Sequence, residues 1–164
     1  MCWECSKTRI KLTVDSTDKT VYKVLAWNRH DKQLTAWYIP DFKYNLGCTY
    51  HSQIELIQPS TETDIIEVQS GLHSYLDIPK KFRNGVGVHN REHFKTSQDI
   101  PLVARCVIPA GTLYGVGINN ELVSTILYFE SILSWDALTF IPGSEEDAEY
   151  ARQYKEIYNL IYSK

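Results

Sequence analysis

The stretch Ser70-Gly71-Leu72-His73-Ser74-Tyr75 sets an imidazole, a hydroxyl and a phenol in consecutive positions just behind a glycine. An imidazole donates, accepts and exchanges a proton near neutral pH, and the two hydroxyls can orient a polar ligand. If the segment is extended, His73 and Tyr75 point to one face while Leu72 and Ser74 point to the other. That geometry argues against a Ser-His nucleophile made from adjacent residues, and the sequence contains no Gly-x-Ser-x-Gly elbow. Binding fits this cluster better than covalent catalysis.

A second constellation is cationic. Lys80, Lys81, Arg83, Arg91 and Lys95 face Glu92 as the one acid between residues 79 and 98, in a chain of net charge −3. Guanidinium forks and ammonium groups suit phosphate oxygens, so Lys80, Lys81, Arg83 and Arg91 are read as a phosphate-binding loop over a site. The acids between Glu121 and Glu149 would repel a long polyanion, which favours a small phosphorylated ligand over nucleic acid. Glu121 follows Asn119 and Asn120 and precedes an apolar run, where a carboxylate can orient a ribose hydroxyl or act as a base. Cys2-x-x-Cys5 is the one spacing of metal-ligand type. With no second pair to complete it, Cys2, Cys5, Cys48 and Cys106 read as free thiols of a reducing compartment, and neither metal nor cofactor is expected.

The elements that must position these groups are mostly strands. Ile10, Leu12 and Val14 alternate with polar residues, and Val21 to Trp27 forms a largely apolar run behind the turn-rich Asp15-Ser16-Thr17-Asp18. Short strands are expected at Leu34–Ile39, Ile54–Ile57, Ile65–Val68, Leu102–Ile108, Leu113–Tyr114 and, as one element, Leu122–Phe129. The end of the chain changes period. Ser144-Glu145-Glu146-Asp147 looks like a helix cap with acids in its first turn, and Tyr150, Tyr154, Ile157 and Ile161 mark one helical face. The expected fold is α+β: one domain over residues 1–164, a mostly antiparallel twisted sheet over 8–130 and a terminal helix over about 144–162. No run approaches the roughly 20 apolar residues of a membrane helix, and the N-terminus lacks a signal-peptide layout, so a cytoplasmic protein with no membrane partner is expected.

In order and spacing, roughly residues 20 to 130 resemble the Arg-Ser-Glu class of ADP-ribosyltransferases. Val21-Tyr22-Lys23 stands in the place of that family's aromatic-Arg pair. Gly71-Leu72-His73-Ser74-Tyr75 stands at its Phe-x-Ser-Thr-Ser segment, and Asn119-Asn120-Glu121-Leu122-Val123 at its Glu-x-Glu strand entrance. The chain departs from the pattern in three places: Lys23 replaces the arginine, Ser74 alone matches the hydroxyl run, and Asn119 replaces the first glutamate. The resemblance therefore implies a related sheet and a nucleotide-shaped pocket more than it implies transferase activity. Met1-Cys2, Gly71 to Tyr75 and Ile108-Pro109-Ala110-Gly111-Thr112 also resemble a loose group of small proteins from gut bacteria and their phages. That setting implies an accessory or counter-defence role.

These readings converge on a non-catalytic binding module for a nucleotide or NAD-derived molecule, working by sequestration. Its expected ligand-binding residues are Tyr22, Lys23, His73, Ser74, Tyr75, Lys80, Lys81, Arg83, Arg91 and Glu121. The alternatives are an enzyme that transfers ADP-ribose or cleaves NAD through Glu121, His73 and Ser74, and a phage structural or protein-interaction component with an aromatic partner surface. A homo-oligomer is left open.

Overall fold

The computed structural model describes residues 3–6, 11–36, 42–57, 65–78, 100–117, 120–138 and 145–163. The cationic residues Lys80, Lys81, Arg83 and Arg91, together with Cys2, Asn119 and the expected cap Ser144, lie outside the described residues. The strands are β1 (Trp3–Ser6), β2 (Lys11–Val14), β3 (Lys19–Asn28), β4 (Gln33–Ala36), β5 (Lys43–Tyr44), β6 (Thr49–His51) and β7 (Glu55–Ile57). They continue with β8 (Ile65–Ser70), β9 (Leu72–Tyr75), β10 (Ile100–Ile108), β11 (Leu113–Val116), β12 (Glu121–Ser124) and β13 (Ile126–Ile132). A 3₁₀ turn at Asp136–Leu138 and the helix α1 (Glu145–Tyr162) complete the described elements. Antiparallel pairing with a helix at the C-terminal end makes the fold α+β.

The chain divides into two compact units. The first comprises Met1–Lys23, Leu46–Asp77 and Arg105–Glu130. A three-stranded sheet, β1-β8-β7, belongs to it, and so do residues of all eight strands in the hydrogen-bonding order β2-β11-β12-β9-β3-β10-β13-β6. Its core is a run of apolar side chains with no exposure, including Val21, Leu122, Val123, Leu127 and Phe129. Burying each such side chain contributes about 1.5–3 kcal/mol.

Two features of this unit differ from the sequence expectation. The apolar run at 122–129 is not one strand, because the chain turns a corner at Thr125. There the Thr125 N–H donates to the Leu113 carbonyl at 3.1 Å, while the Thr125 carbonyl accepts from the Ser52 N–H at 2.9 Å. The chain thus leaves β9 and β11 as neighbours and takes up β6. The alternating Leu12 and Val14 are also more open than a half-buried strand implies, at 40% and 54% exposure. β2 ends the strand order, and the residue opposite Leu12 on β11 is Gly115, which offers no side chain to cover it.

The second unit comprises Val24–Asn45, Ile78–Ala104 and Ser131–Lys164. The later half of β3 pairs with β4 from Leu25↔Ala36 to Asn28↔Gln33, and β4 pairs with β5 at Leu34↔Tyr44. The expected stripe of α1 is buried at Tyr150, Tyr154 and Ile157, with 2%, 0% and 4% exposure, while its last member Ile161 is half-buried. Trp135 packs edge-on against Tyr150 and Tyr154, with ring centroids 5.5 and 5.3 Å away. Such pairs add about 0.5–1.5 kcal/mol beyond area burial. The phenols are also pinned by hydrogen bonds. Tyr150 donates to the Pro101 carbonyl. Tyr154 donates to the Leu133 carbonyl at 2.8 Å and accepts from the Val103 N–H at 3.3 Å. Among the described residues, no helix is long and apolar enough to cross a membrane.

Candidate functional site

The site begins with a glycine that cannot be replaced. Gly71 separates β8 from β9 at φ +131°, and a Cβ there would lie 2.2 Å from Val123 Cγ2. Only a residue without a side chain lets β9 approach β12 so closely. Beyond it, Leu72 and Ser74 are buried while His73 and Tyr75 are half-buried, the alternation expected of an extended segment.

Register then aligns residues that are remote in sequence. Tyr75 on β9 stands opposite Glu121 on β12 and opposite Tyr22 on β3. Tyr22, Tyr75 and Glu121 therefore form a row across three neighbouring strands on one face of the sheet. Directly opposed residues have Cβ atoms about 4.5–5.5 Å apart, close enough for rings and a carboxylate to act together. His73 lies two residues along β9 on the same face, opposite Val123. Glu121 opens its strand after Asn120, whose φ is +60°. The mouth is tied on both sides: the Leu76 N–H donates to the Asn120 carbonyl at 2.9 Å, and the Gly117 N–H to the Glu121 carbonyl at 2.8 Å.

Lys23 and Ser74 belong to the opposite face by alternation, so they do not join the row. Lys23 stands on β3 between the buried Val21 and Leu25. The β3–β9 pairing is described at Tyr22↔Tyr75, and one residue further along β3 the Lys23 ammonium donates to the His73 carbonyl at 2.6 Å. Ser74 is 1% exposed, and its hydroxyl has no hydrogen-bond partner among the described residues.

Burial sets the protonation states here. It pulls the Lys23 ammonium down to about 8, against a smaller upward pull from Cys106 on the adjacent β10. It pulls the His73 imidazole down to about 3, with the Lys23 charge acting in the same direction. It pushes the Cys106 thiol up to about 12, which the Lys23 charge only partly offsets. At neutral pH, His73 is a neutral imidazole and Cys106 a protonated thiol. The imidazole therefore carries no acidic imidazolium proton at neutral pH, and the thiol is not in its reactive thiolate form. Both can still take part in hydrogen bonds.

The structure thus brings together Tyr22, His73, Tyr75 and Glu121, and sets Lys23 and Ser74 on the other face. Cys106, read from the sequence as a free thiol, is a core residue with no exposure. What that reading missed was its place near Lys23, two strands of the order away from Ser74. The available signal was a lysine inside the apolar run Val21 to Trp27. Among the described residues, no group of three His, Cys, Asp or Glu side chains is arranged to hold a metal ion. No family model matches the chain, and no curated protein or solved structure matches it.

Proposed function

We propose that this protein binds a nucleoside-type ligand, a nucleotide or NAD-derived molecule, without turning it over, on the face that carries Tyr22, His73, Tyr75 and Glu121. The observation behind this reading is the register row Tyr22–Tyr75–Glu121. Two phenol rings offer surfaces for a base, and a carboxylate at the end of the row accepts hydrogen bonds from ribose hydroxyls. A neutral His73 adds no charge to this face.

Within this proposal the sheet is the counterpart of an ADP-ribosyltransferase sheet that has kept its frame and lost its catalytic groups. Lys23, at the arginine's place, spends its ammonium on the His73 carbonyl. It also lacks the planar fork that grips a pyrophosphate. A protein that holds a signalling nucleotide without cleaving it lowers the free concentration mole for mole, which is how a counter-defence role would operate.

Calorimetry with NAD, ADP-ribose, cyclic ADP-ribose and cyclic dinucleotides tests the reading. One of these should bind with micromolar affinity and be recovered intact, and Tyr75→Ala should weaken it by at least about tenfold, the equivalent of 1.4 kcal/mol. Absence of binding across the panel, or an affinity indifferent to both Tyr75→Ala and Glu121→Gln, overturns it. Turnover of NAD that disappears in Glu121→Gln would replace it with the transferase or NAD-cleaving alternative.

A further inference from the structure

A groove of about 350 Å³ opens in the second unit between the turn after β3 and the outer side of α1. That volume falls within the range of small-molecule sites. Its floor is apolar: Trp27 and Ile157 are nearly covered at 9% and 4% exposure, while Leu160 stays 61% exposed. A leucine this open beside a tryptophan is surface that an apolar body would cover favourably.

Its rim carries Arg29, Lys32 and Arg152 against the Glu156 carboxylate, and the cations are not equivalent. Arg152 is occupied by carboxylates of its own helix, at 2.6 Å to Glu149 and 3.0 Å to Glu156. The pairing is firm enough to hold the Glu149 carboxyl at about 2, through hydrogen bonds from Arg152 first and Gln153 second. Arg29 is different. Its guanidinium donates to the neutral amide oxygen of Gln153 at 2.6 Å, and Gln153 in turn donates to Glu149 at 2.9 Å. This chain orients the guanidinium over the groove without neutralising it by direct contact.

Lys32 supplies the second charge. Its backbone is left-handed, at φ +52°, an uncommon state for a residue with a side chain. The turn that holds it is closed by the Asp31 N–H donating to Asn28 Oδ1 at 3.0 Å. Among the described residues, Lys32 forms no ion pair. An oriented guanidinium and an unneutralised ammonium thus stand over an apolar floor.

We propose that this groove binds a small organic anion, with an apolar body lying on Trp27, Ile157 and Leu160 and a carboxylate, sulfonate or phosphate group held between Arg29 and Lys32. The site lies wholly within the second unit and is independent of the row formed by Tyr22, Tyr75 and Glu121.

Two fluorescent probes of nearly the same shape separate the contributions. The sulfonated 8-anilinonaphthalene-1-sulfonate should bind saturably, and the uncharged N-phenyl-1-naphthylamine at least tenfold more weakly. The double variant Arg29→Gln/Lys32→Gln alters exposed side chains, and an unchanged thermal transition will verify that it folds. It should weaken the sulfonated probe at least tenfold and leave the neutral one unaffected. Failure of the sulfonated probe to saturate, equal affinity for both probes, or an affinity that survives the double substitution overturns the proposal.

Discussion

Beneath α1, buried polar groups are matched one to one: Tyr150 donates to the Pro101 carbonyl, and Tyr154 donates to Leu133 while accepting from Val103. In the first unit, along β9 and β3, the matching is looser. The Ser74 hydroxyl is sealed from solvent with no hydrogen-bond partner among the described residues. Lys23 puts a desolvated ammonium against the His73 backbone carbonyl, and His73 is held neutral by its surroundings. A structural seat needs every phenol satisfied, because an unmade buried hydrogen bond costs about 1–3 kcal/mol. The contrast separates the first unit's central strands from the helix seat, while the ligand face itself is read from the row Tyr22–Tyr75–Glu121, since Ser74 and Lys23 lie on the opposite face.

The largest effect should therefore come from the seat. Tyr154→Ala removes a fully buried ring that packs on Trp135 and bridges Leu133 and Val103, and it should lower unfolding stability by about 3–5 kcal/mol. Tyr154→Phe keeps the ring but strips the hydroxyl from the Leu133 carbonyl and the Val103 N–H, at about 1–2 kcal/mol. Urea denaturation of both variants gives the split between ring and hydroxyl. If Tyr154→Phe matched wild type, the phenol would not be the anchor described here, and the contrast would lose one side.

An intermediate effect should appear as a pH dependence. The folded chain holds His73 at about 3, against an ordinary value of 6.5. Between those values the unfolded chain binds a proton that the native chain refuses, so stability falls as pH drops through this window. The slope from this residue is at most about 1.4 kcal/mol per pH unit, reduced by the partial exposure of the ring. His73→Gln should flatten it, and because the Lys23 ammonium bonds the backbone carbonyl, the substitution leaves that contact in place. Glu149 and Asp15 are held below their ordinary values by their partners and lose stabilisation at lower pH. The informative quantity is accordingly the difference between wild type and variant from pH 6.5 to about 4.5. Parallel stability curves over that interval would mean that the imidazole is not desolvated.

Which parts of this could be read from the sequence follows from how local each signal is. The stripe Tyr150, Tyr154 and Ile157 was legible because helical period depends only on neighbours three and four apart. The alternation of Leu72, His73, Ser74 and Tyr75 was legible for the same reason at period two. The row Tyr22–Tyr75–Glu121 was not, although its members were singled out. Their alignment depends on register, and register here is set by the approach of Gly71 to Val123, about fifty residues along the chain. The corner at Thr125 is equally non-local, since the bonds that break the strand come from Leu113 and Ser52. Lys23 teaches the opposite lesson. Its alternation with Val21 and Leu25 already placed it on the core face, away from Tyr22, but the resemblance carried by Val21-Tyr22-Lys23 drew it into the expected pocket.

The smallest expected effect is the sharpest test of the contrast. Ser74→Ala deletes a hydroxyl buried at 1% exposure that has no partner among the described residues. Removing an unsatisfied polar group relieves a desolvation penalty, while the methyl that remains keeps most of the packing. Stability should stay within about 0.5 kcal/mol of wild type or rise by up to about 1 kcal/mol, opposite in sign to Tyr154→Phe although both changes remove one buried hydroxyl. The pair can be run side by side in the same urea titration, where a common m-value shows that the unfolded states are comparable. A loss of more than 1 kcal/mol in Ser74→Ala would mean that the hydroxyl is satisfied in the folded chain. Ser74 would then be scaffold of the same kind as Tyr154, and the case for the central strands would rest on the row Tyr22–Tyr75–Glu121 alone.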